Sequence, residues 1–371
     1  MHYALHPRTF LYSHYFHLGL RFGVGLVAIT LATLQLSDSA TAMAVCIGAL
    51  CTALMDMPSP LRHKLNEMTA SILLCSAVTL LVSLSGPIPW LLLTMLVVIS
   101  FLASMMVVYG KKSMPLQLAT LFIMTMSMEH VITPRQSFIN AALFLLGGLV
   151  YLAYAMAVSW FLRHRIKQQV LAEALFELAA YLDVKADFYD TRYNLAEQFN
   201  KLVRQQSALA DRQQASRDLI LRSHQNRKDA IVVQVHVCML DLYEMVLSTH
   251  TDYAELRAHL ADFEVLVALR NLAFKAARDV EAVAYAITRK RASYAAIDYE
   301  PEWRVIEAEL QALQRRGAAG EPTREALAVL RAQRNKIRAI LAKIGELHLA
   351  SQKVYADTPF WSGADMAPFL S

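Results

Sequence analysis

Charged side chains are almost missing from the first 163 residues of this 371-residue chain, which hold eight Lys or Arg and four Asp or Glu. Subtraction from the totals of 36 and 31 leaves 28 basic and 27 acidic residues in 164–371. The second half is nearly neutral, so most of the net +5 belongs to the first. No basic patch or stripe dominates, which excludes nucleic acid as a partner. Cysteine is scarce as well. Cys46, Cys51, Cys75 and Cys238 show no spacing for a disulfide framework or a zinc site, and they read as small buried hydrophobes. Alternation of the β type is absent over any useful length, leaving an all-α chain.

Catalytic signatures are missing too. Gly110-Lys111-Lys112-Ser113 lacks the preceding glycine and strand of a phosphate loop. The twelve histidines include no His-x-x-x-His pair flanking a Glu, and no carboxylate pair occupies an apolar face. Met124-Thr125-Met126-Ser127-Met128 invites a copper-thioether reading. On a helix, however, Met126 points about 200° away from its two neighbours, so ordinary packing is the better account. The sequence therefore reads as a non-enzyme with no catalytic residue, no metal and no cofactor.

What the chain does have is long apolar runs. A bilayer core about 30 Å thick requires roughly 20 mainly apolar residues per helix. Six runs qualify as candidates, at about 18–36, 41–56, 69–86, 88–109, 114–129 and 137–162, each bounded by charge or by Pro and Gly. With six spans, Arg8, Arg21, Arg62, Lys64, Lys111, Lys112 and Arg163 fall on one side and Arg135 alone on the other. That bias puts both termini in the cytoplasm. Ala40-Thr41-Ala42 resembles a signal cleavage site, but the charge distribution fits an uncleaved first span better.

The second and fifth runs are short, near 16 residues, and both carry polar atoms. Thr41, Cys51 and Thr52 lie in one, and Thr120, Thr125 and Ser127 in the other. Both lead into proline and then a basic residue. Short segments at matching positions of two three-helix sets point to a transporter's central site. Gly19 and Gly23, spaced for close helix approach, and Gly147-Gly148 are available for packing. Arg21, Asp56, Glu129 and His130 stand at span edges. At membrane depth a charge costs about 2.5–3.5 kcal/mol, so a retained one faces a cavity. At the interface that cost largely disappears, and the same four would be snorkelling anchors. The candidate substrate-binding set is Arg21, Asp56, Thr125, Glu129 and His130.

From Arg163 onward the pattern is helical. Leu171, Leu175, Leu178 and Leu182 keep 3–4 spacing, as do Leu195, Phe199 and Leu202. Residues 227–249 read as a helix with an apolar centre, 252–292 as one long helical stretch, and 323–353 as a further helix. Pro301 and the Gly317–Pro322 turn bracket another. The expected architecture is a six-helix transmembrane bundle, 1–163, followed by a cytoplasmic bundle of five or six helices, 164–371. The tail from Thr358 is irregular and aromatic.

Ser13-His14-Tyr15-Phe16-His17-Leu18-Gly19-Leu20-Arg21 before an apolar span resembles the entry motif of the FUSC (fusaric acid resistance, aromatic acid exporter) family. Pro58-Ser59-Pro60-Leu61-Arg62-His63-Lys64 resembles its YccS-like branch, as does the layout of six short-looped spans before a helical domain. The resemblance implies efflux of small organic anions, aromatic carboxylates among them, across an inner membrane. It also implies that Arg21 contacts the anion. Family members are about twice this long, so the chain resembles an N-terminal half needing a second half or a second copy in the same bilayer. A membrane-anchored interaction or regulatory protein is the alternative, and an anion channel, like the plant malate channels, a third. Single cysteines introduced at Ser39 and Gln136 in a Cys-free background should be labelled by an impermeant maleimide from outside. Those near Lys112 and Ser371 should not, and external labelling at Ser371 would overturn the six-span reading.

Overall fold

The computed structural model describes residues 14–57, 59–110, 113–128, 133–221, 229–248, 252–260, 264–289, 291–316 and 321–355. The described residues are almost wholly helical and include no strand. Contacts divide the chain into two compact units, Met1–Arg163 and His164–Ser371.

The first unit contains α1 (His14–Leu36), α2 (Ser39–Ala53), α3 (Leu61–Ser85), α4 (Pro89–Met105), α5 (Met114–Ser127) and the first part of α6 (Pro134–Ala186). Their limits follow local chemistry. Pro89 stands at the start of α4, where its missing N–H costs nothing. A short 3-10 turn, Met106–Tyr109, prolongs α4 and ends at Gly110, whose φ of 97° favours glycine. α1, α3, α4 and α6 are long and apolar enough to cross a membrane. α2 and α5, of 15 and 14 residues, are the short ones. At 1.5 Å per residue they reach about 22 Å, less than the roughly 30 Å core. So four of the six expected spans meet the length requirement and two do not.

Two boundaries differ from those expected. α2 ends at Ala53, which leaves Asp56 in the connection beyond it, and α3 begins at Leu61, some eight residues before the run expected at 69. The reason is physical: Arg62, Lys64 and Glu67 lower the hydropathy of the first turns without breaking a helix, and Pro60 fixes its start.

Glycine sets the depth of packing. A Cβ on Gly48 would occupy the backbone of Phe144, and one on Gly147 the backbone of Val45. The α2 and α6 main chains therefore meet directly, with Gly148 seated against Thr52 and Ile72 and Gly25 against the Tyr151 and Tyr154 rings. Gly19 and Gly23 have no neighbour within 4 Å among the described residues, so close packing through that pair is not a feature inside the unit. Cys51 and Cys75 are buried in the core formed with Val78, Ile123 and Phe144, where Ser71 Oγ donates to the Cys51 carbonyl at 3.3 Å. Outward, Leu93, Val97, Phe101 and Leu102 of α4 and Val24, Val27 and Leu31 of α1 are exposed. An apolar surface that continuous suits lipid, not water.

The second unit continues α6 and adds α7 (Leu195–Ile220), α8 (Asp229–Ser248), α9 (Tyr253–Leu260), α10 (Val265–Thr288), α11 (Glu300–Arg316) and α12 (Glu321–Tyr355). Leu171, Leu175, Leu178 and Leu182 are buried against Val235, Met239, Leu242, Val280, Val283 and Leu347. A second core joins Phe188, Leu256, Leu269, Leu310 and Leu330. The stretch read as one helix over 252–292 is two, α9 ending at Leu260 and α10 starting at Val265. Apolar residues on both sides keep similar spacing, which hid the break. The tail from Thr358 lies outside the described residues.

Gly147→Ala should lower the melting temperature in detergent, by the equivalent of about 1–3 kcal/mol for an overpacked core. Gly19→Ala should leave it unchanged. Equal melting of both variants would show that the α2–α6 backbone contact is not limiting.

Candidate functional site

Four elements of the first unit supply side chains to one buried polar cluster. Past the end of α2 the chain tightens, with Met55 N donating to Thr52 O at 3.1 Å and Asp56 N to Ala53 O at 2.9 Å. That turn carries Asp56 inward, and its side chain is 1% exposed. Arg21, in the second turn of α1, donates from an Nη to Asp56 Oδ1 at 2.5 Å. Lys64, in the first turn of α3, has its Nζ against the same oxygen and donates to Ser159 Oγ of α6 at 2.8 Å. Tyr151 Oη of α6 donates to Asp56 Oδ2 at 3.3 Å, and Tyr154 Oη donates to the Arg21 carbonyl at 3.1 Å.

Lys64 is 2% exposed and Arg21 11%, so both cations are largely withdrawn from solvent. Two cations face one carboxylate, and the cluster carries a surplus positive charge. Glu67, one turn along α3, is half-buried and accepts from Ser59 Oγ at 3.4 Å, touching neither cation though its charge acts on Lys64. Buried Arg21 Nε meets no acceptor among the described residues. An orphaned guanidinium N–H beside surplus positive charge is the arrangement that receives an anionic oxygen.

Of the sequence-derived candidates, Arg21 and Asp56 are brought together. Thr125 is not: it lies on an exposed face of α5 and its Oγ1 donates back to the Phe122 carbonyl at 2.7 Å. At the end of an apolar helix a threonine satisfies its hydroxyl most simply on its own preceding turn. Glu129 and His130 lie outside the described residues. Sequence reasoning missed Lys64, which it treated as a topology charge, and also Tyr151, Tyr154 and Ser159. A signal existed for the tyrosines. They are one turn apart, just after Gly147-Gly148, which places both on one face of an apolar helix.

Comparison with known proteins bears on this geometry. The family model described as FUSC-like inner membrane protein yccS matches residues 68–344. This chain belongs to the FUSC-like inner membrane protein family. Membership and the apolar helices together indicate a protein of the inner membrane. The FUSC-like match includes Tyr151, Tyr154 and Ser159 but begins after Arg21, Asp56 and Lys64. An uncharacterized protein of Haemophilus influenzae is 22% identical over 251 residues, covering 63% of this chain. The chain spans about a third of that relative's length, 34% being matched.

Removing the shared carboxylate should be worse than removing one of its cations. Asp56→Asn leaves Arg21 and Lys64 buried together without a counterion, a change of about 3–5 kcal/mol. Lys64→Met leaves the Arg21–Asp56 pair intact and should cost clearly less. Thermal unfolding of both variants in the same detergent measures the difference, and the reverse order would remove Asp56 from the centre of the cluster.

Proposed function

We propose that this chain is an efflux component for small organic anions, aromatic carboxylates among them, with Arg21 and Lys64 receiving the anion and Asp56 holding its place between turnovers. The carrying observation is that one buried carboxylate is shared by two cations in an apolar, glycine-packed bundle. A substrate carboxylate is chemically the same group as the Asp56 side chain. By occupying the same donors it would free Asp56 from one cation, and protonation of Asp56 would have the same effect. Proton or gradient coupling follows as a competition for two positive charges, in which only a differential affinity between states can move the equilibrium. Tyr151 and Tyr154 would contribute an aromatic, hydrogen-bonding wall beside the donors.

The functional unit in this reading has six spans, both termini in the cytoplasm, and a helical cytoplasmic domain. α2 and α5 are sheltered by longer helices, which makes their length tolerable. It assembles with a second copy or a second half, most simply as a twofold dimer. The open Gly19/Gly23 edge of α1 is available for that contact. A membrane-anchored regulator that moves nothing is the reading from another class. The closed ion cluster supports it to the extent that all three charges already have partners.

The test is uptake of a labelled aromatic carboxylate into inverted membrane vesicles containing the full-length protein. Arg21→Gln and Lys64→Gln should each lower the initial rate by about tenfold or more with membrane abundance unchanged, as expected for loss of a charge-assisted hydrogen bond. Arg21→Lys should recover only part, because the planar guanidinium fork is lost. Unchanged uptake in Arg21→Gln would return the cluster to a structural role. Absence of uptake by the parent protein, under conditions where a known exporter works, would favour the regulator.

A further inference from the structure

Glu67 is the only acidic residue of α3. It follows Lys64 by three residues, so the two share a face of the helix with their Cβ atoms about 5–6 Å apart. Its carboxylate accepts from Ser59 Oγ at 3.4 Å, near the outer limit for a hydrogen bond. Ser59 lies in the α2–α3 connection that also carries Asp56, immediately before Pro60, the N-cap of α3. Within the cluster, Arg21 and Lys64 face the single carboxylate of Asp56. The second carboxylate, which would bring these charges to zero, stands one turn along α3 and already acts on the Lys64 ammonium through space.

We infer that Glu67 is a reserve counter-ion for Lys64: when Asp56 disengages from the ammonium, Lys64 turns along α3 and pairs with Glu67. A buried cation left without a carboxylate is strongly unfavourable, so an acid within reach decides where the ammonium goes. Lys64 can make the exchange because its charge rides on a flexible four-carbon stem. On the Glu67 side, a long contact from a neutral hydroxyl gives way to a charge-assisted bond. A lysine preceding its acid on a helix is the weaker order of such a pair, which suits a reserve and leaves Asp56 the resting partner. Capture of Glu67 also frees Ser59, and with it the tie between α3 and the connection that delivers Asp56. Loss of one ion pair is thereby passed on as release of a loop. Glu67 is a positioning residue in this scheme, since it acts through Lys64. The exchange deepens the efflux reading and rests on it for its use in turnover, but not for its existence.

The test is a series of melting temperatures of the full-length protein in one detergent. Glu67→Gln should lower the value by about 2 °C or less in the parent, and by about 5 °C more than that in Asp56→Asn. Adding Lys64→Met to the Asp56→Asn background should abolish the extra loss, and Glu67→Asp should avoid most of it. Arg62→Gln, removing an exposed charge from the first turn of α3, should give equal shifts with and without Asp56. Equal shifts for Glu67→Gln in the two backgrounds overturn the reserve role, as does an extra loss that survives Lys64→Met or that Arg62→Gln reproduces. Failure of Asp56→Asn to reach the membrane while Glu67 is intact overturns it too. In inverted vesicles Glu67→Gln should lower the maximal uptake rate about threefold with half-saturation unchanged. A raised half-saturation at an unchanged rate would make Glu67 a substrate contact instead. If the parent takes up nothing, the efflux reading fails while the melting series still decides the role of Glu67.

Discussion

Asp56 is the group on which the first unit depends, because one carboxylate neutralises two buried cations contributed by different helices. In a low-dielectric surrounding, either cation left without it would be unfavourable by several kcal/mol. The positions of α1 and α3 are thereby linked through a residue that belongs to neither. The cluster is also why Lys64 can be almost fully buried in the first turn of an apolar helix. Tyr151, Tyr154 and Ser159 extend the same network to α6, so four elements share one set of polar contacts.

That arrangement requires close backbones. Gly48 and Gly147 let α2 and α6 touch main chain to main chain, which sets the depth at which the α2–α3 connection delivers Asp56. Gly25 leaves room for the two tyrosine rings beside Arg21. Small residues here create space for a polar site, a role different from the helix association first expected of Gly19 and Gly23. Those two face open space and remain available to something outside the described chain.

In the second unit, packing and charge play the opposite parts. Two apolar cores hold the helices, and most ion pairs are at least partly exposed, as between Arg304 and Glu300 or Lys343 and Glu346. Such pairs contribute little each.

The helical nature of the chain, its apolar first half, the shortness of α2 and α5, and the Leu171–Leu182 stripe were legible in the sequence. Each depends on local periodicity or hydropathy, which a single segment carries by itself. The family resemblance was legible for the same reason, being carried by local motifs and the order of segments. Arg21 and Asp56 stood out individually because charge is rare in apolar sequence. Their pairing across 35 residues did not, nor did the arrival of Lys64 at the same oxygen, since no spacing rule connects residues on three elements. Thr125 stands apart from the cluster, which the sequence did not reveal, because composition places a polar atom on a helix without saying which way that helix faces. The early start of α3 and the break between α9 and α10 were hidden by periodic patterns running across both points. Composition and local pattern thus determined which segments are helical and which avoid water. Only the tertiary structure decided which charges meet, because that depends on how closely glycine lets the helices approach.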